Sequence, residues 1–174
     1  MSEELIQQMI ARWKEDVRRD PNDHETWAAL GSAYGELHRY DDALASFKQA
    51  IAVNPKYAEA YLGLGSTYGF LRRPQDKIKA FQEAIKLKPD NAVAYANLGS
   101  ACCKVGQYKD SIQALREALR LDPTLYDARL VLGIALLGSG DIGAASRECA
   151  ALERDAPSLG AQLRELIRQS KSAK

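Results

Sequence analysis

The chain has few of the residues that enzymes and metal sites use for chemistry. Its 174 residues include only two histidines, His24 and His38, and three cysteines, Cys102, Cys103 and Cys149. Neither histidine has cysteines or carboxylates at the spacing of a metal ligand set. No serine, histidine and aspartate follow the order of a nucleophile turn. We therefore expect no catalytic residues, no metal and no cofactor, and hence a protein that is not an enzyme.

The chain also lacks an excess of either charge, and it lacks long apolar runs. The chain has 24 basic and 23 acidic side chains, a net charge of +1, so no bulk field attracts nucleic acid. The basic strip between Arg72 and Lys88 is expected to be a solvated face. No run approaches the roughly 18 apolar residues of a membrane span, and the first residues lack the apolar core of a signal peptide. With an odd number of unpaired cysteines, these features predict a cytoplasmic protein that neither binds nucleic acid nor inserts into a membrane.

Proline is scarce but regularly spaced. Five of the six prolines recur every 34 residues, at Pro21, Pro55, Pro89, Pro123 and Pro157. The same interval separates further columns of identical or similar residues. These are Gly31, Gly65, Gly99 and Gly133; Leu30, Leu64, Leu98 and Leu132; Trp27, Tyr61 and Tyr95; Phe47 and Phe81; and Ala50, Ala84 and Ala118. Recurrence of several columns together indicates an internal repeat of 34 residues.

Each repeat carries two apolar stripes at helical spacing with turn residues between them. In the first repeat, one stripe runs from Trp27 to Tyr34 and the second from Leu44 to Ile51, after which proline prevents the helix from continuing. No alternating strand pattern competes with this interpretation. Because so short a helix pair cannot bury its own apolar face, we expect neighbouring pairs to stack.

The columns resemble the tetratricopeptide repeat (TPR) pattern, W-x-x-L-G-x-x-Y followed by alanine, an aromatic residue, alanine and proline. The resemblance implies an all-α superhelix, a TPR solenoid, with four helix-turn-helix repeats over residues 24–57, 58–91, 92–125 and 126–157 of a single domain, 1–174. A stripe through Trp13 predicts an extra N-terminal helix over 3–19, and one through Leu163 predicts a capping helix over 159–170. Trp13 falls in the Phe47 column, so the N-terminal helix corresponds to the second helix of an incomplete repeat; membrane binding by this helix is the alternative.

In TPR proteins the first helix of each repeat lines a concave groove that binds a partner. The resemblance assigns a peptide-binding groove to Ser32, Glu36, Leu62, Gly63, Ser66, Phe70, Asn97, Ser100, Lys104, Leu130, Val131, Ile134 and Leu137. Neither the carboxylate clamp of heat-shock co-chaperones nor the asparagine ladder of O-linked GlcNAc transferase fits, because only Asn97 matches either pattern.

Small, neutral side chains dominate this groove, so it is expected to accept an amphipathic helix or a bulky apolar segment. Phe70 is predicted to be an aromatic anchor, Asn97 and the serines to hydrogen-bond the backbone of the partner, and Glu36 and Lys104 to select its charge. The alternative is that the apolar residues of the fourth repeat are buried by the protein itself, under the capping helix or in a homodimer.

These features predict a non-catalytic scaffold or adaptor that binds a protein or peptide partner. Two other functions stay open at this stage: a structural protein that assembles end to end through its terminal repeats, and a chaperone for a secreted substrate.

The stretch GLGSTYG contains three glycines, Gly63, Gly65 and Gly69, within seven residues. It lacks the spacing, the preceding strand and the lysine of a phosphate-binding loop, and it lies inside a predicted helix. Gly65 belongs to the recurring column and is predicted to allow close helix contact. Gly63 and Gly69 are predicted to face the groove and widen it, so that Gly63→Leu would block the partner without harming the fold.

Overall fold

A computed structural model describes residues 2–172 of the chain. Within these residues it contains ten α-helices and no β-strand, which confirms the predicted all-α class. The helices are α1 (Glu3–Arg19), α2 (His24–Glu36), α3 (Tyr40–Val53), α4 (Ala58–Phe70), α5 (Pro74–Leu87), α6 (Ala92–Lys104), α7 (Tyr108–Leu121), α8 (Tyr126–Gly138), α9 (Ile142–Asp155) and α10 (Pro157–Ser172).

The helices form two compact units, the first ending at Pro89 and the second beginning at Asp90. In the first unit, α1 packs on α2, and the pairs α2–α3 and α4–α5 pack on each other through α3 and α4. In the second unit, the pairs α6–α7 and α8–α9 pack through α7 and α8, and α10 covers α9 and α8. The order of the elements in each unit therefore follows from stacking consecutive helix pairs.

The turn inside each helix pair places one residue in the left-handed backbone region. The φ angles at this column are 57° for His38, 54° for Arg72, 77° for Gly106 and 88° for Gly140. Glycine adopts this conformation without steric cost, whereas a side chain here is strained by about 1–2 kcal/mol. The first unit therefore carries strain in both turns that the second unit avoids.

The core of the first unit forms around the ring of Phe47, which is 4% exposed. A Cβ atom at Gly31 would lie 2.9 Å from this ring, and a Cβ atom at Gly63 would lie 2.2 Å from its Cζ. Phe47 of α3 thus packs directly on the backbones of both α2 and α4. The prediction that Gly63 widens a groove is therefore wrong, because the ring of Phe47 already occupies the space beside it.

The second half of α4 shows the same type of contact with α5. A Cβ atom at Gly65 would lie 2.8 Å from Cε1 of Phe81, which confirms that Gly65 permits close helix contact. The space beside Gly69 is also taken, since Lys77 Nζ lies 3.3 Å from the Cβ position there. Lys77 is half-buried, and its Nζ lies 5.7 Å from the centroid of the Phe81 ring. Neither Gly63 nor Gly69 therefore leaves open space.

In the second unit, the side chain that packs on the repeat glycine comes from a different helix in the last pair than in the pair before it. Leu115 packs on Gly99, where a Cβ atom would lie 2.5 Å from Leu115 Cγ. In the next pair the aligned residue is the smaller Cys149, and the space over Gly133 is filled instead by Leu163 of α10, which is 0% exposed. The capping helix therefore completes the core that the degenerate fourth repeat leaves short of volume.

In the fourth repeat, Arg129 aligns with the aromatic residues Trp27, Tyr61 and Tyr95. It keeps a hydrogen bond that Trp27 makes in the first repeat. In the first repeat, Trp27 Nε1 donates a hydrogen bond to the Pro21 carbonyl at 3.0 Å, and Arg129 Nη2 donates to the aligned Pro123 carbonyl at 3.4 Å. Arg129 Nη1 also pairs with Glu148 at 3.2 Å, with side-chain exposures of 21% and 24%. The substitution thus replaces aromatic packing by a largely buried ion pair.

Candidate functional site

In the first unit, the predicted site residues lie on α2 and α4, two helices that contact each other. Ser32 and Ser66 are exposed, and their hydroxyl groups donate hydrogen bonds to the carbonyls of Ala28 and Leu62, at 3.2 and 3.1 Å. The hydroxyl protons are therefore used within the helices. Only the oxygen lone pairs remain available, so each hydroxyl can enter a further hydrogen bond only as the acceptor.

Phe70 ends α4 with an exposed aromatic ring. Phe70 is 64% exposed, and its ring stacks on Tyr40 with centroids 4.7 Å apart and an interplanar angle of 7°. The Tyr40 hydroxyl is 2.8 Å from Nδ1 of His38, which holds the tyrosine ring in turn. Phe70 is therefore preorganised by its neighbour, a feature that the sequence pattern did not indicate.

In the second unit, α6 carries the polar residues of the predicted site. Asn97 and Ser100 are half-buried and Lys104 is exposed. Within residues 2–172, the Asn97 amide and the Ser100 hydroxyl make no hydrogen bond, and no ion pair involves Lys104. These three side chains therefore retain their hydrogen-bonding and charge capacity for another molecule.

The apolar residues of the site lie on α8, which contacts α6. Leu130, Val131 and Leu137 are half-buried against the core of the second unit, and Ile134 is half-buried as well. Part of this surface is thus packed against the core of the second unit. The remainder of these side chains is apolar surface on α8.

The three thiols are held in their protonated form by burial. Burial raises the pKa of Cys102 to about 11. Burial also raises the pKa of Cys103, against the opposing effect of the Ser111 hydroxyl, and that of Cys149. Because the thiolate is the nucleophile, burial lowers the reactive fraction of each thiol, including Cys103 on α6.

Among residues 2–172, no group of three histidine, cysteine or acidic side chains is arranged to hold a metal ion. No helix in the same range is long and apolar enough to cross a membrane.

A cleft of about 200 Å³ lies between α1 and α2 in the first unit. Ile6, Met9 and Trp13 line it from α1, and Ala29 and Glu36 are among its residues on α2. The sequence pattern did not indicate this cleft, although it aligned Trp13 of α1 with Phe47 of α3.

The sequence comparisons agree with the geometry of stacked helix pairs. Residues 28–92 match one sequence model described as a tetratricopeptide repeat, and residues 92–125 match a second with the same description. Together the matches span more than half of the chain. The chain belongs to the tetratricopeptide repeat family, a generally non-catalytic protein-interaction fold whose members bind protein or peptide partners.

Solved structures with similar folds include MamA, with a TM-score of 0.77 and 28% identity over 92% of this chain and 89% of that chain. YrrB, described as a TPR protein with an unusual peptide-binding site, has a TM-score of 0.82 and 20% identity over 92% of this chain and 84% of that one. A MamA fragment from Desulfovibrio magneticus RS-1 has a TM-score of 0.81 and 22% identity over 88% and 86% of the two chains. No curated protein matches the chain.

Proposed function

We propose that this protein is a non-catalytic scaffold that binds a peptide or helical segment of a partner protein on the faces of its first helices. The observation that carries the proposal is the Asn97 amide, which is half-buried on α6 and has no hydrogen-bond partner within residues 2–172. A half-buried amide without a partner gains a hydrogen bond when a peptide backbone reaches it.

The other predicted site residues of the second unit indicate which kind of segment would bind. Ile134 and the exposed parts of Leu130 on α8 offer apolar contact, and Lys104 at the end of α6 offers a positive charge that has no ion pair within residues 2–172. A segment with apolar residues and an acidic side chain meets both requirements. The apolar contact supplies affinity, while the charge favours acidic over basic partners.

The first unit offers a second face with different chemistry. Phe70 presents an aromatic ring that Tyr40 already holds in place, so little conformational entropy is lost when a partner packs on it. Glu36 on α2 is exposed and has no ion pair within the described range. This face therefore favours an apolar segment with a basic side chain.

The proposal is tested by comparing two double variants in affinity capture from lysate of the source cells. Asn97→Ala with Lys104→Glu changes the proposed face of α6, and Leu130 is left unchanged because it packs on the core. Gln113→Ala with Arg116→Glu is the matched control on α7, where both side chains are exposed. Circular dichroism of each variant establishes that folding is intact.

We expect a partner that the wild type and the α7 variant retain and the α6 variant loses. Equal recovery by all three proteins would contradict binding at this face. Light scattering at two concentrations reports whether that partner is a second copy of the chain.

A further inference from the structure

Helix α1 aligns with the second helix of a repeat, and no helix of residues 2–172 stands in the position of the corresponding first helix. Met9 and Trp13 align, one repeat earlier, with Ala43 and Phe47 of α3. Ala43 and Phe47 are 0% and 4% exposed because α2 covers them, whereas Met9 and Trp13 are only half-buried. The difference between aligned residues of the same chain shows that residues 2–172 cover the apolar face of α1 less completely than they cover that of α3.

The surroundings of Phe47 indicate which residues a helix seated on α1 would need. The Phe47 ring lies between Gly31 of its own pair and Gly63 of the next pair. Trp13 has the second of these neighbours, since Ala29, which aligns with Gly63, lines the same cleft. No helix of residues 2–172 supplies the first, a glycine on the helix that pairs with α1, and the cleft of about 200 Å³ lies between α1 and α2.

The charge at the cleft specifies one further property of the occupant. Glu36, in the last turn of α2, lines the cleft and has no ion pair within residues 2–172. Successive first helices of a stacked repeat place the same column side by side, so the last turn of a helix seated before α2 comes next to Glu36. A lysine or arginine in that turn complements the carboxylate.

We propose that the cleft between α1 and α2 is the seat of an amphipathic helix from a partner protein, which packs on α1 as the first helix of a repeat packs on the second. The helix places glycine or alanine against Trp13 and a basic side chain beside Glu36. This inference rests on the proposed scaffold function and names the class of segment that the first unit binds.

The chain contains a natural template for a probe of this seat. Helix α6 has Leu98 and Gly99 in the first-helix columns and Lys104 at the column of Glu36. The probe is a fluorescein-labelled synthetic peptide that copies residues 90–105 with both cysteines replaced by alanine. A second peptide carries Gly99→Leu, and a third carries Lys104→Glu. Binding of each to the full chain is measured by fluorescence polarisation.

We expect saturable binding of the first peptide and at least tenfold weaker binding of the Gly99→Leu peptide, because leucine cannot approach Trp13. The protein variant Ala29→Leu, which fills the cleft, should bind the first peptide at least tenfold more weakly. Glu36→Lys should weaken it several-fold and should prefer the Lys104→Glu peptide, a charge reversal that a folding defect does not produce.

Three results would overturn the inference. The first is no saturable binding of the probe up to roughly 1 mM, which corresponds to less than about 4 kcal/mol of affinity. The second is equal binding of the Gly99→Leu peptide or equal binding by Ala29→Leu. The third is a concentration-dependent dimer, seen by sedimentation, that Ala29→Leu abolishes, because the occupant is then a second copy of the chain.

Failure of the seat and failure of the proposed function are distinguishable. The protein variant Asn97→Ala with Lys104→Glu leaves the cleft intact and should bind the probe like the wild type. Ala29→Leu leaves α6 intact and should retain any partner that depends on Asn97.

Discussion

The contact between Gly63 and Phe47 makes a sharp prediction about packing in the first unit. In Gly63→Ala, the new Cβ atom would lie 2.2 Å from Cζ and 2.3 Å from Cε1 of Phe47, whereas ordinary contact begins at 3.4 Å. The ring or the helix must therefore move by more than 1 Å. The ring has little freedom to do so, because it also packs on the backbone at Gly31, where a Cβ atom would be 2.9 Å away.

The expected change in stability combines two opposing effects. Alanine in place of glycine favours the helix by about 0.5–1 kcal/mol, whereas overpacking a core costs about 1–3 kcal/mol. Gly63→Ala should therefore lower the free energy of unfolding by about 1 kcal/mol. The matched control is Gly35→Ala on α2, where nothing lies within 4 Å of the Cβ position. This control should gain up to about 1 kcal/mol.

Urea denaturation followed by circular dichroism measures both variants. A double-mutant cycle with Phe47→Leu, which shortens the side chain, then tests the cause of the loss. The two changes should couple by about 0.5 kcal/mol or more, with Gly63→Ala better tolerated beside leucine. The packing argument is refuted if Gly63→Ala stabilises the protein as much as Gly35→Ala, or if the coupling is zero.

Other residues provide four further tests. Gly160→Ala brings a Cβ atom within 2.6 Å of a backbone nitrogen of α9, so it should destabilise the second unit by about 1–3 kcal/mol and speed amide hydrogen exchange in α10; unchanged exchange would contradict the close contact. Arg129→Ala removes the ion pair with Glu148 and should cost about 1.5–3 kcal/mol in urea denaturation, with a smaller loss for Arg129→Trp. Arg72→Gly relieves a φ of 54° and should raise the unfolding free energy by about 0.5–1 kcal/mol, whereas no gain would mean that the turn is unstrained. Burial raises the pKa of the Cys102 thiol from 9.0 to about 11. The buried thiol therefore contributes its full stabilisation below pH 9 and loses it as the pH rises from 9 to 11, because the unfolded chain ionises first. Over that pH range, Cys102→Ala should show a smaller fall in the free energy of unfolding, measured by urea denaturation.

Sequence periodicity predicted the helical architecture and some of its contacts. The columns of proline and glycine at 34-residue intervals indicated paired helices, and Gly65 was correctly placed at a close helix contact. Gly63 was wrongly interpreted because its column holds alanine, asparagine and valine in the other repeats and therefore gave no sign of a packing constraint. The ring of Phe47 contacts two helices, α2 and α4. Whether it reaches both depends on the angle between the helices, which the residue pattern along one helix does not give.

The site was predictable only as a set of outward-facing positions. The pattern placed Ser32 and Ser66 on the exposed side of their helices, but it did not show that each hydroxyl bonds to its own helix. Likewise, the half-burial of Leu130 depends on how the core of the second unit fills, including the exchange of volume between Cys149 and Leu163. Such features follow from side-chain volume and rotamer in three dimensions, which a repeat period does not encode.

The central claim, that partners bind on the first-helix face of the second unit, is tested most directly by site-specific photocross-linking. A benzophenone amino acid is introduced at Ser100 on α6 and, as the control, at the exposed Gln113 on α7. After irradiation in source cells, the proposed function predicts a discrete cross-linked partner at position 100 and none at position 113. A discrete cross-linked partner at position 113, with none at position 100, would contradict it.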